Sequence, residues 1–131
     1  MDFVIFSIDE GHDLHTKAKF LRHMDTLRSM KKLKGNLKLA ISSFQGNLED
    51  SYIISMTDFN DHVRNSEYVQ RQAFFLNVGG SAGMPYVLVD KFDNIAIKGN
   101  LVSTRSLPEG CIDWTYRPDM GFYWVSSEEM K

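Results

Sequence analysis

Two adjacent carboxylates, Glu49 and Asp50, are the side chains of this sequence best placed to do chemistry. They follow the segment FQGN at positions 44–47, whose Gly and Asn are typical of a tight turn, and apolar runs lie on both sides. Folding requires the turn residues but does not require an acid at position 49. Two acids beside a turn are commonly solvated, whereas a carboxylate half-buried at a strand end can bind a cation or a polar ligand. The sequence leaves both interpretations open.

The remaining chemical motifs are weaker. His12 and His15 are three residues apart, but no further Cys or His extends them into a metal-binding pattern, so we expect no metal site. The glycine-rich segment VGGSAGMP at 78–85 follows a predicted helix and lacks a Gly-Lys-Ser/Thr ending, which argues against a phosphate-binding loop. Cys111 is the sole cysteine, so no internal disulfide can form, and we expect a small, partly buried thiol.

Composition places the chain among ordinary globular proteins. It has 131 residues, of which 43% are hydrophobic and 24% charged, and its formal net charge is -2. We expect one domain spanning residues 1–131. The absence of a basic excess argues against nucleic-acid binding. No apolar run approaches the ~20 residues that span a bilayer, and no leader pattern begins the sequence, so we expect a cytoplasmic protein without membrane contact.

Hydrophobic periodicity predicts the elements that would position Glu49. Residues 3–8 form an apolar strand, and the three-and-four spacing at 13–30 indicates an amphipathic helix with Asp13 as its N-cap. Alternation around the turn predicts a hairpin at 37–56. A second helix is expected at 58–76 and a second hairpin at 86–97.

The resulting order β-α-β-β-α-β predicts an α+β, ferredoxin-like sandwich, in which two helices cover one face of an antiparallel sheet. The aromatic-rich extension at 105–131 predicts additional C-terminal strands that cover the other face or contact another subunit. Its aromatic side chains are Trp114, Tyr116, Phe122, Tyr123 and Trp124.

Four segments resemble a known family when they are taken in order. They are LRHMDTLR on the first helix, FQGNLEDSYIIS at the hairpin, PYVLV, and DMGFYWV near the end. Together they resemble the phage-encoded S-adenosylmethionine lyases, long called S-adenosylmethionine hydrolases. The resemblance implies ferredoxin-like subunits assembled as a homotrimer, a substrate held between neighbouring subunits, no cofactor, and a role in antirestriction.

The resemblance also implies a reaction and a set of site residues. The substrate's own carboxylate attacks its γ-carbon, and methylthioadenosine and homoserine lactone are released. The family's catalytic glutamate falls on Glu49, which would hold the substrate's ammonium or a hydroxyl. Expected proximity adds candidate substrate-binding residues, with Met84 and Tyr86 packing on adenine. The other candidates are Ser42, Ser43, Phe44 and Asp50.

Two alternatives stay open at this point. The chain could be a non-catalytic ferredoxin-like module that binds a small molecule or a host protein, or an antidefence protein that blocks a host enzyme by occlusion. The sequence also leaves open the number of subunits and whether lactone or homoserine is the first product. Homoserine would indicate attack by water, with Glu49 as general base.

Overall fold

The chain forms a closed barrel of eight antiparallel strands. The computed structural model describes residues 2–9 and 15–130, and the strand order around the barrel is β1-β3-β2-β7-β8-β6-β5-β4. One long helix, α1 (His15–Ser29), lies against the outside of the barrel. The strands are β1 (Phe3–Phe6), β2 (Lys38–Phe44), β3 (Asn47–Ser55), β4 (Phe75–Val78), β5 (Pro85–Val89), β6 (Ile95–Thr104), β7 (Trp114–Arg117) and β8 (Phe122–Ser126).

The predicted ferredoxin-like sandwich is therefore wrong. The expected second helix at 58–76 breaks into a helical turn α2 (Met56–Asp58), a π-helical turn (Phe59–Val63) and a 3₁₀ turn (Glu67–Val69), and it ends in strand β4. Asn65-Ser66 interrupts the helical pattern, and the apolar run that follows pairs with both β1 and β5. The glycine-rich segment is consequently the connection of a β4–β5 hairpin.

The aromatic extension also differs from its expected role. Strand β7 pairs with β2 and β8, while β8 pairs with β6. These two strands close the barrel instead of covering a flat sheet face. Closure leaves an interior enclosed by inward-facing side chains, because successive residues of a strand point to opposite faces.

The first hairpin has a two-residue turn. Gln45 and Gly46 have φ values of 53° and 85°, as type I′ hairpin turns require, and Asn47 already pairs with Phe44. A loop before β7 holds the turn, because Asp113 accepts a hydrogen bond of 2.7 Å from the Gln45 amide. The turn is thereby fixed beside the start of β7.

Two apolar clusters stabilise the fold on either side of the sheet. The outer cluster packs Phe20, Met24 and Leu27 of α1 against side chains such as Phe6 and Tyr52. The inner cluster fills one end of the barrel with residues from six strands. It consists of Ile5, Ala40, Ile53, Val78, Leu101 and Trp124.

Two buried charged residues have defined roles. The carboxylate of Asp58, which is fully buried, accepts hydrogen bonds from the Lys34 and Gly35 amides at 2.7 and 2.9 Å and so fixes the connection from α1 to β2. Arg117 is also buried and donates to both carboxylate oxygens of Asp119, at 3.0 and 2.7 Å. Its guanidinium lies 5.2 Å from the ring centroid of Trp124.

The expected N-cap at Asp13, and His12 with it, lie outside the described residues. Among the helices of residues 2–9 and 15–130, none is long and apolar enough to cross a membrane.

Candidate functional site

The end of the barrel that carries the β2–β3 turn contains an open cavity of about 430 Å³. This volume falls within the range of small-molecule binding sites. Strand alternation accounts for most of its lining, because inward positions such as Ser42 on β2, Ser51 on β3 and Leu88 on β5 all contribute to the wall. We call this cavity the lumen.

One half of the lumen wall is rich in polar side chains. It is formed by β1, β3, β2 and β7, which are consecutive around the barrel. These strands, with Ser7 directly after β1, place four hydroxyl groups and a carboxylate along the wall. These polar residues are Ser7, Ser51, Glu49, Ser42 and Thr115. We refer to them as the polar belt. Apolar side chains of the same strands also line this half, namely Ile5, Phe6, Phe44 and Trp114.

The hydroxyl groups of the polar belt form two buried pairs. The oxygens of Ser7 and Ser51 are 3.3 Å apart, and those of Ser42 and Thr115 are 3.0 Å apart. All four residues are buried. The Ser42–Thr115 pair bridges β2 to β7, and the Ser7–Ser51 pair links the residue directly after β1 to β3.

The other half of the wall, formed by β4, β5, β6 and β8, is largely apolar and aromatic. Ser126 on β8 is its polar exception. The ring of Tyr86 packs over Gly99 on the adjacent strand, where a side chain would leave no room for the ring. The apolar lining residues of this half are Leu76, Tyr86, Leu88, Ile97, Leu101 and Trp124. We call this surface the apolar half.

All charged side chains among the described residues that line the lumen are acidic. They are Glu49, Asp113, Glu128 and Glu129, of which the last two belong to the 3₁₀ turn Ser127–Met130 after β8. The described lining contains no Lys, Arg or His. A cavity with this composition favours a cationic ligand and disfavours a phosphate-bearing one.

Glu49 lies opposite Ser42 in the β2–β3 register and two residues before Ser51 on the same face of β3. Directly opposed residues of an antiparallel pair have Cβ atoms about 4.5–5.5 Å apart. The Glu49 carboxylate makes no hydrogen bond or ion pair with another residue in the described part of the chain, and the residue is exposed. It is therefore available to bind a ligand.

The structure brings five of the seven sequence-predicted site residues to the lumen. Glu49, Ser42, Phe44 and Tyr86 line it, as does Ser43, whose hydroxyl donates to the Ile112 carbonyl oxygen at 2.7 Å. Phe44 is partly exposed beside the turn.

The other two predicted residues lie elsewhere. Asp50 points away from the lumen and forms an ion pair of 2.7 Å with Lys17 of α1. Met84 has a φ of 44° in the β4–β5 connection and packs against the inner apolar cluster. Neither belongs to the described lining of the lumen.

No group of three or more metal-ligating side chains occurs within residues 2–9 and 15–130. Burial raises the pKa of the Cys111 thiol, which accordingly carries little thiolate at neutral pH.

Sequence reasoning missed several lining residues, including Ser7, Ser51, Thr115, Trp124 and Glu128. The alternation of Glu49, Ser51 and Ile53 places Ser51 on the same face as Glu49, and this signal was present in the sequence. The other four required knowledge of barrel closure, which brings β1, β7 and β8 around the same space.

Comparisons of the chain with protein-family models, with curated proteins and with solved structures found no match in any of the three. The residues that line the lumen are therefore the basis for inferring a function.

Proposed function

We propose that this chain is an S-adenosylmethionine lyase that binds its substrate in the lumen. The observation that carries the proposal is the lining itself, which combines four carboxylates and no basic residue with an aromatic surface. S-adenosylmethionine has a sulfonium and an ammonium against one carboxylate, and its adenine ring is apolar on both faces. Acidic side chains attract this net charge, and the apolar half offers a surface for the ring.

The proposed reaction needs little acid or base chemistry. An oxygen of the substrate's α-carboxylate attacks the γ-carbon, the bond between that carbon and sulfur breaks, and its electron pair passes to sulfur. Methylthioadenosine and homoserine lactone result, and no proton is transferred. Because the carboxylate and the γ-carbon belong to one molecule, the protein has only to hold the methionine arm in the attack geometry and to restrict the rotation of its few bonds.

The two halves of the lumen would act differently on the barrier. The ammonium keeps its charge throughout the reaction, so its contact with Glu49 strengthens binding and sets orientation without lowering the barrier directly. The sulfonium loses its charge in the transition state. An aliphatic surface such as Leu76, Leu88 and Leu101 stabilises that charge poorly in the ground state and therefore favours its loss.

Depletion of the methyl donor in an infected cell, and hence a phage antirestriction role in the host cytoplasm, would follow from this activity. The homotrimer with intersubunit sites stays a prediction from the sequence resemblance. The lumen is lined by one chain, so the proposal does not depend on a partner subunit.

The test is to incubate purified protein with S-adenosylmethionine and to follow methylthioadenosine and homoserine lactone by chromatography. We expect turnover by the wild type and a loss of about 10-fold or more in kcat/KM for Glu49→Gln, because a charge-assisted hydrogen bond is replaced by a weaker one. Asp50→Asn is the matched control, since Asp50 lies outside the lumen. No turnover by the wild type would refute the lyase proposal.

A second candidate is a non-catalytic small-molecule binding protein. Closed eight-stranded barrels have an interior wide enough to hold one small ligand, and the lumen fits that description. Saturable binding of S-adenosylmethionine without product formation would support this function over the lyase.

A further inference from the structure

We infer that the polar belt is a recognition site for a free α-amino acid head group, with Glu49 binding the ammonium and the paired hydroxyls binding the carboxylate. The inference deepens the proposed function and rests on it for the identity of the remainder of the ligand. It assigns roles to Ser7, Ser51 and Thr115, which no sequence motif singled out.

The hydrogen count of the hydroxyl pairs supports this assignment. Each hydroxyl carries one hydrogen and can accept further hydrogen bonds. A pair such as Ser42 and Thr115 uses one of its two hydrogens, and the same holds for Ser7 and Ser51. In the described part of the chain these four hydroxyls make no other hydrogen bond. One hydroxyl hydrogen per pair is thus left for an acceptor in the lumen, which all four residues line.

The order of the groups matches a zwitterion. Glu49 lies between the two pairs, because Ser42 is opposite it on β2 and Ser51 follows it on β3. An ammonium only donates and is bound by the Glu49 carboxylate, whereas a carboxylate only accepts and is bound by the hydroxyl hydrogens. The α-ammonium and α-carboxylate of an amino acid are joined through one carbon and fit adjacent acceptor and donor groups.

The absence of a basic residue from the described lining makes the site selective for this combination. A ligand carboxylate on its own would be repelled by Glu49 and by the acids at the rim, whereas one that carries its own ammonium is not. An Arg would neutralise the charge of the carboxylate, whereas the hydroxyls donate hydrogen bonds to it and leave that charge in place. In the proposed reaction this carboxylate is the nucleophile, so neutral donors orient it and preserve its reactivity.

The experiment compares two ligands that the proposed reaction cannot consume. S-adenosylhomocysteine keeps the ammonium and the carboxylate but lacks the sulfonium, and decarboxylated S-adenosylmethionine keeps the ammonium and the sulfonium but lacks the carboxylate. Dissociation constants are measured by calorimetry for the wild type, Thr115→Val, Ser51→Ala and Glu49→Gln. The control is Thr26→Val on the exposed surface of α1, and thermal melting verifies that each variant folds.

We expect Thr115→Val and Ser51→Ala to weaken S-adenosylhomocysteine binding by about 10-fold, as loss of a hydrogen bond to a charged group implies, and to leave decarboxylated S-adenosylmethionine binding unchanged. Glu49→Gln should weaken both ligands, because both carry the ammonium. Equal weakening of both ligands by the hydroxyl variants would overturn the inference, as would no effect on either or no binding of S-adenosylhomocysteine to the wild type. Because neither probe requires turnover, binding without lyase activity would refute the proposed reaction and leave the head-group site intact.

Discussion

Replacing Gly99 by alanine tests how tightly the apolar half is packed. A Cβ atom at Gly99 would lie 3.0 Å from Cε1 and Oη of Tyr86 and 3.1 Å from its Cζ, whereas ordinary contacts begin at 3.4 Å. The ring must therefore move by roughly 0.4 Å or more. Crowding of this kind destabilises the fold by about 1–3 kcal/mol, whereas replacing a glycine within a strand stabilises it by about 0.5–1 kcal/mol. We expect Gly99→Ala to lower the free energy of unfolding by about 1 kcal/mol.

When the Tyr86 ring is absent, the same substitution should raise the free energy of unfolding instead of lowering it. In a Tyr86→Leu background the added methyl group meets no ring, so only the gain from removing glycine remains. Gly99→Ala should then stabilise the protein by about 0.5 kcal/mol. This double-mutant cycle isolates the contact between positions 86 and 99 from other effects of each change.

Urea unfolding followed by circular dichroism measures both effects. With a slope of about 1–3 kcal/mol per molar urea, a change of 1 kcal/mol moves the midpoint by roughly 0.5 M. Gly35→Ala is the control, because nothing lies within 4 Å of a Cβ atom there. An equal cost of Gly99→Ala in both backgrounds would refute the assignment of the crowding to the Tyr86 ring.

Three further predictions concern stability and reactivity. Asp58→Ala should lower the free energy of unfolding by about 3 kcal/mol, because two backbone amides lose a charged acceptor, while the exposed Asp61→Ala should stay within about 0.5 kcal/mol in the same urea assay. The hydrogen bonds from Arg117 hold the pKa of Asp119 below its usual 3.8, so its stabilising contribution is present above that value and is lost as the pH falls through the lower folded pKa. The free energy of unfolding of Asp119→Asn should therefore fall less steeply than that of the wild type as the pH is lowered in this range. The same pH dependence in both proteins would contradict a stabilising contact between Asp119 and Arg117. Cys111 should react with iodoacetamide at pH 7 more slowly than free cysteine, because burial raises its pKa; a faster reaction would contradict this.

The local pattern of the sequence predicted its first half well. Helix α1 and the hairpin of β2 and β3 lie where periodicity and turn residues indicate them, because both depend on neighbours a few residues apart. The turn itself shifted by one residue, since Gln45 and Gly46 occupy it instead of Gly46 and Asn47. Contacts of the turn with Ile112 and Asp113, far along the chain, stabilise this arrangement.

The long-range architecture could not be read from these patterns. The segment expected as a helix at 58–76 contains apolar residues at helical spacing, yet it runs into β4, in which Leu76, Asn77 and Val78 pair with β1, more than 70 residues earlier. The closure of the barrel likewise depends on the short strands β7 and β8. Their aromatic residues alternate over too few positions to predict which strands they pair with. Glu49 and Ser42 were identified from their local positions, but Ser7 and Thr115 became visible as lining residues only once the barrel was closed.

A closed barrel also restricts how this chain can associate with others. Each of the eight strands has a partner on both sides, so the described sheet presents no open edge to which a second chain could add a strand. Any assembly, including the predicted homotrimer, must then form through outward side chains. Leu39 and Ile41 on the outer surface of β2 are 52% and 41% exposed and are apolar side chains available for such a contact. Subunits joined in this way could separate without breaking a single main-chain hydrogen bond of the barrel.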